Sequence, residues 1–98
     1  MKTAFITGAT SGIGKATAIL LGKSGYRIIA CGRRQDRLDE LKGELAAFTE
    51  VHTLSFDVRE KDAVFKAIDS LPNDWRNIDL LVNNAGNAHG LASIQNGS

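Results

Sequence analysis

Two hydrophobic periods alternate along this chain. Short apolar runs at Ala4-Phe5-Ile6-Thr7, Arg27-Ile28-Ile29-Ala30-Cys31, Val51-His52-Thr53-Leu54-Ser55-Phe56 and Leu80-Leu81-Val82-Asn83 predict four strands. The first, second and fourth are almost continuously apolar, as strands covered on both faces are. The third alternates, as an outer strand does. Between them the period lengthens to that of a helix. Leu38, Leu41, Leu45 and Phe48 fall on one helical face, with Asp36, Arg37, Asp39, Glu40, Lys42 and Glu44 around the rest. Ala63, Val64, Ala67, Ile68 and Leu71 make a similar stripe. A helix over Ile13–Lys23 is expected to turn Ile13, Ala16, Leu20 and Leu21 inward. Ser24-Gly25 supplies its stop, and Pro72-Asn73-Asp74 ends the third helix.

Strands separated by helices predict an α/β fold with a doubly wound parallel sheet. Right-handed crossovers and a ligand-binding first turn give the strand order 3-2-1-4. The first two helices then lie on one face and the third on the other. Strand four would be left as an open apolar edge. Residues 1–98 accordingly read as the N-terminal β-α-β-α-β-α-β portion of a single dinucleotide-binding domain whose remainder is absent.

Composition narrows the class. The chain has 98 residues and a formal net charge of +1, which argues against nucleic acid as a partner. No apolar run approaches the roughly 20 residues that span a bilayer, so no membrane partner is expected. Met1-Lys2-Thr3 leads into the first strand without a signal-like stretch. Cys31 is the single cysteine, which excludes a disulfide framework and fits a cytoplasmic protein.

The candidate chemistry sits where strands end. After the first strand comes Thr7-Gly8-Ala9-Thr10-Ser11-Gly12-Ile13-Gly14, a glycine-rich turn that opens a helix. Such a turn exposes backbone N–H groups and the positive end of the helix dipole, a ready site for pyrophosphate. Gly8 permits the turn, Gly12 lets a phosphate approach the backbone, and Gly14 allows helix and strand to pack closely. Thr10 and Ser11 add hydroxyls for a phosphate or for the helix start. After the second strand comes Gly32-Arg33-Arg34, where NAD-binding chains place a carboxylate for the ribose 2′-hydroxyl. Glycine leaves room there, and a guanidinium pairs with a 2′-phosphate through two hydrogen bonds, so the cofactor expected is NADP. After the third strand, Asp57 and Val58 could hold an adenine amino group and ring; Asp57 could equally cap the next helix, with Glu60 completing a capping box. After the fourth strand, Asn84, Ala85 and Gly86 suit a ribose lying against backbone. Asn83 serves there as a ligand contact or as a tie between strands. His52 and His89 lack metal partners at useful spacing, Cys31 reads as a buried apolar residue, and Trp75 as a packing anchor below the sheet. No nucleophile–base–acid set can be assembled.

Taken together, the glycine loop, Asp57-Val58 and Asn83-Asn84-Ala85-Gly86 resemble the short-chain dehydrogenase/reductase family, over essentially the whole chain. Within it, Gly32-Arg33-Arg34 looks like the NADP-preferring pattern. Ser70-Leu71-Pro72-Asn73-Asp74-Trp75, Ile78-Asp79 and Gly86-Asn87-Ala88-His89-Gly90 are similar to the 3-hydroxy acid dehydrogenase branch, whose substrates include serine and allo-threonine. The resemblance implies a Rossmann domain and a homo-oligomer in the full-length protein. It implies the pyrophosphate and nearby ribose at Gly8 to Ile13, the 2′-phosphate at Arg33 and Arg34, adenine at Asp57 and Val58, and a ribose at Asn84, Ala85 and Gly86. The family's catalytic Ser and Tyr-x-x-x-Lys are not in these 98 residues; the one tyrosine, Tyr26, is followed three residues later by Ile29. The parent is thus expected to be an NADP-dependent oxidoreductase acting on a small hydroxy acid or another alcohol or carbonyl compound. The chain alone is expected to be inactive. The alternative is a non-catalytic nucleotide-binding or redox-sensing module.

Overall fold

A computed structural model describes residues 1–84. Strand β1 (Lys2–Thr7) leads through the glycine loop into helix α1 (Gly12–Lys23). Strand β2 (Tyr26–Gly32), helix α2 (Gln35–Leu45), strand β3 (Val51–Ser55) and helix α3 (Lys61–Asp69) follow. A 3-10 turn at Asn73–Trp75 then brings the chain into strand β4 (Leu80–Asn83). The sheet is parallel with order β3-β2-β1-β4, as the strand–helix alternation predicts.

Side-chain alternation along the central strands builds two cores. Ala4, Ile6, Ile28 and Ala30 point to one face and meet Leu38, Leu41 and Leu45 of α2 together with Ala18 of α1. Phe5, Ile29 and Cys31 point to the other and meet Leu54, Val64, Leu71 and Trp75. Phe5 and Ile29 are fully buried; burying such a side chain stabilises the fold by about 1.5–3 kcal/mol. Helices α1 and α2 therefore share one face and α3 takes the other. Strand β3 is half-buried at one edge, and Leu80, Leu81 and Val82 of β4 are half-buried at the opposite one.

Helix α1 corrects the expected inward stripe. Its buried residues are Gly14, Ala18 and Gly22, one turn apart, while Ile13 and Leu20 are 76% and 66% exposed. Ala16 is exposed too, and Leu21 is half-buried against the core. Apolar periodicity pointed to the wrong face because α1 packs closely on Gly8 and Ala9 at Gly14 and on Phe48 and Thr49 at Gly22, which selects small side chains that scarcely register as hydrophobic. Phe48 is likewise outside the α2 stripe. It follows the end of that helix, is 39% exposed, and lies over Gly22, where a Cβ would stand 2.9 Å from its ring.

Helix α1 stops as Ser24-Gly25 predicts. Ser24 N–H donates to Leu20 O at 3.1 Å, and Gly25 adopts φ 100°. Below the sheet, Arg27 fastens three segments together. Its guanidinium donates to Thr3 Oγ1 at 2.9 Å and to Asp74 O at 2.6 Å, and lies 4.2 Å over the Trp75 ring. Beside it, Thr3 N–H donates to Asp79 Oδ2 at 2.8 Å and Asp79 N–H to Thr3 O at 2.9 Å, which sets β4 against β1. This end of the sheet is tied together, and the opposite end carries the glycine loop.

Candidate functional site

The loop after β1 is organised by two glycines and one serine. Gly8 turns the chain with φ 59°, a left-handed conformation that favours glycine. Ala9 N–H then donates to Cys31 O at 3.1 Å, fastening the loop to the end of β2. Ser11 Oγ donates to Gly8 O at 2.8 Å and accepts from Gly14 N–H at 3.2 Å, so it caps α1. A Cβ at Gly14 would lie 1.9 Å from Gly8 O, so only glycine lets helix and loop come this close. Gly12 differs: a Cβ there would meet nothing within 4 Å. The first helical turn therefore has open space beside it, and its leading N–H groups lie ahead of any acceptor within the helix.

A cavity of about 350 Å³ lies beside this loop. Gly8, Thr10 and Ser11 form one wall, Arg33 and Arg34 another, and Val58 a third, so the structure brings these sequence-predicted residues together. Gly32 sits at the end of β2 in the cavity lining, where a Cβ would stand 3.4 Å from Leu38 and 3.6 Å from Thr10. Phe56 and Arg37 complete the lining, and motif reading missed both. Arg37 had a signal: it stands three residues beyond Arg34 at the start of α2, one helical turn along. Phe56 had none, because it also packs against the second core. A second recess of about 320 Å³, between α1 and α2, shares Thr10, Arg34 and Arg37 and carries mixed charge, including a Lys15–Glu44 pair at 3.0 Å.

Both predicted arginines are exposed. Arg34 pairs with Asp36 at 3.2 Å, and Arg33 stands 4.0 Å from Asp57 Oδ2. Asp57 itself is held by Arg59. The Arg59 backbone N–H and Nε donate to Oδ1 at 3.0 and 3.1 Å, and its Nη2 donates to Oδ2 at 2.9 Å. The Arg59 hydrogen bonds, side chain first and then backbone, with the charges of Arg59 and Arg33, hold the carboxyl down to about 2. The capping-box alternative is corrected here. Helix α3 begins at Lys61 with Glu60 at its N-cap and no side-chain cap, because Asp57 is spent on Arg59 two residues away. Glu60 N–H instead donates to Asp57 O at 3.0 Å and closes a turn.

At the end of β4, Asn83 Oδ1 accepts from Thr7 Oγ1 at 3.0 Å, so Asn83 ties β4 to β1. Asn84 is half-buried, and its Nδ2 is buried without an acceptor among the described residues. Ala85 and Gly86 lie outside the described residues, as does His89. Gly12, Ile13, Gly14, Asp57 and Asn84 are not part of the cavity lining, although they belong to the same C-terminal edge of the sheet. His52 lies against Trp75 with ring centroids 5.4 Å apart. Burial pushes the Cys31 thiol well above its ordinary value. Among the described residues no cluster of His, Cys, Asp and Glu could hold a metal ion, and no helix is long and apolar enough to cross a membrane.

The family model for short-chain dehydrogenases matches residues 2–97. Serine 3-dehydrogenase of Agrobacterium fabrum is 50% identical over 91 residues, covering 92% of this chain and 35% of that protein. The NADP-dependent 3-hydroxy acid dehydrogenase YdfG of Escherichia coli K12 is 45% identical over 86 residues, covering 88% of this chain and 34% of its own. L-sorbose reductase of Gluconobacter frateurii, solved with NADPH and L-sorbose, superposes with a TM-score of 0.80 at 38% identity, over 87% of this chain and 33% of that one. The chain thus spans about a third of the length of the relatives it matches. With its strand order, its glycine loop and this match along nearly its whole length, the chain belongs to the short-chain dehydrogenase family.

Proposed function

We propose that residues 1–98 are the N-terminal, cofactor-binding part of a single Rossmann domain in an NADP-dependent oxidoreductase. The full protein would move hydride between NADP(H) and a small hydroxy acid or another alcohol or carbonyl compound. The observation that carries this reading is the cavity at the end of β2, where Gly32 leaves space and Arg33, Arg34 and Arg37 face it. A carboxylate at that place would repel a 2′-phosphate, whereas guanidinium groups form charge-assisted bonds with it.

The residues present fit the dinucleotide. Open space at Gly12 and the first turn of α1 suit the pyrophosphate, with exposed Ile13 beside it. Ser11 is occupied as the helix cap, so its contribution is to fix the loop, and Thr10 presents the hydroxyl beside the cavity. Asp57 and Val58 would take adenine. The Nδ2 of Asn84, without an acceptor among the described residues, would supply a donor for a ribose oxygen, with Ala85 and Gly86 next to it in sequence. When bound, the cofactor supplies or accepts the hydride. These residues bind and orient it. The near-neutral charge of +1 supports a protein without a nucleic-acid partner, and the reading extends to a cytoplasmic homo-oligomer in its full-length form.

Equilibrium titration with NADP and NAD tests the cofactor assignment. Arg33→Ala is expected to weaken NADP binding about tenfold or more while leaving NAD binding nearly unchanged, because a hydrogen bond to a charged group contributes about 1.5–3 kcal/mol. Equal affinity for the two cofactors, unaltered by the substitution, overturns it.

A further inference from the structure

We propose that Arg59 is a positioning residue for cofactor recognition: it fixes the Asp57 carboxylate so that one acceptor place on Oδ2 faces the adenine amino group. The proposal rests on the reading of Asp57 and Val58 as the adenine subsite, and concerns a side chain that reading does not use. An ionised carboxylate has about four acceptor places, two on each oxygen. Oδ1 accepts twice, from the backbone N–H and Nε of Arg59. Oδ2 accepts once, from Nη2, and the Arg33 guanidinium at 4.0 Å is beyond hydrogen-bond distance. One strong acceptor place therefore remains, and it is on Oδ2.

The carboxylate is held at its oxygens and at its backbone. The paired Nε and Nη2 contacts fix the carboxylate plane, as a lysine could not. The backbone of Asp57 is fixed by the Glu60 N–H to Asp57 O bond at 3.0 Å and by the burial of Val58 next to it. A carboxylate fixed and ionised in this way can accept but cannot donate. It therefore welcomes the 6-amino group of adenine and repels the 6-oxo group of hypoxanthine. Without Arg59, the side chain of Asp57 regains its rotamers and turns toward Arg33 or solvent, and that distinction fades.

The test compares NADP with its hypoxanthine analogue, deamino-NADP, in equilibrium binding to the full polypeptide. Four forms are needed: unsubstituted, Asp57→Ala, Arg59→Ala and Arg59→Lys. The unsubstituted protein is expected to prefer NADP, and Asp57→Ala to abolish the preference. Arg59→Ala is expected to reduce it about fivefold, mainly through weaker NADP binding, and Arg59→Lys to restore it only in part. A purely structural role would weaken both cofactors equally; that result, an unchanged preference, or tighter NADP binding in Arg59→Ala overturns the proposal. If Asp57→Ala keeps the preference, the adenine subsite itself is misplaced, which separates that failure from a failure at Arg59. Arg59 is 54% exposed in its side chain, and matching thermal midpoints confirm that the variants are folded.

Discussion

At the scale of single residues, the glycine loop divides into parts that build it and a part that faces open space. A methyl group at Gly14 would meet the carbonyl of Gly8 at 1.9 Å, and neither backbone has room to yield. Gly14→Ala is expected to destabilise the fold by about 2–3 kcal/mol or more, read as a fall in urea midpoint. Gly12→Ala meets open space, so its thermal midpoint should hold while NADP affinity drops. Spacing named both glycines, since the turn and the close approach each demand a missing Cβ. Spacing also set the packing demand at Gly14 and the open approach at Gly12, but it put the close contact of Gly14 on the strand, whereas the atoms it meets belong to Gly8 and Ala9 of the loop. Asp57 was legible as a carboxylate at a strand end, but Arg59 was not. Its importance depends on a turn that folds two neighbouring side chains onto each other, and charge in a polar stretch usually marks solvent.

At the scale of elements, α2 and α3 were readable and α1 was not. Leu38, Leu41 and Leu45 are bulky and stand on a clear stripe, so periodicity located their face. The α1 face of Gly14, Ala18 and Gly22 carries almost no hydrophobic signal, because the helix lies close against Gly8 and Ala9 at one end and Phe48 and Thr49 at the other. Volume, rather than hydrophobicity, is what that interface specifies. Ala18→Leu should therefore destabilise the fold by about 1–3 kcal/mol despite adding apolar surface, while Leu20→Ala, at a 66% exposed site, should change stability by less than about 1 kcal/mol. Parallel denaturant titrations of the two variants check this contrast.

Across the whole molecule, the strand order was legible because handedness and connection rules leave few alternatives for this alternation of elements. The lower end of the sheet was less so: Trp75 was read as an anchor, but the guanidinium of Arg27 over it joins segments far apart in sequence, and local spacing carries no trace of that. The parallel strands put stabilising contacts at one end and the cavity beside the glycine loop at the other. Arg27→Ala is expected to lower unfolding free energy by about 1–3 kcal/mol, because it strips hydrogen bonds from Thr3 Oγ1 and Asp74 O and bares the Trp75 ring. The dissociation constant for NADP, measured on the folded variant at low temperature, should stay the same.

Cys31 gives this architecture a built-in reporter. Its thiol is fully buried in the second core, beside Ile29 and Leu54, at the same strand end that receives the Ala9 N–H. A thiol-directed dye can reach it only when the layers around β2 separate, since thiolate formation and access are both suppressed in the closed state. The rate of labelling thus times the opening of the strand to which the glycine loop is fastened, with no tag added to the chain. Because a ligand that binds only the folded form lowers the open population, saturating NADP should slow that clock, and NAD at the same concentration should slow it less.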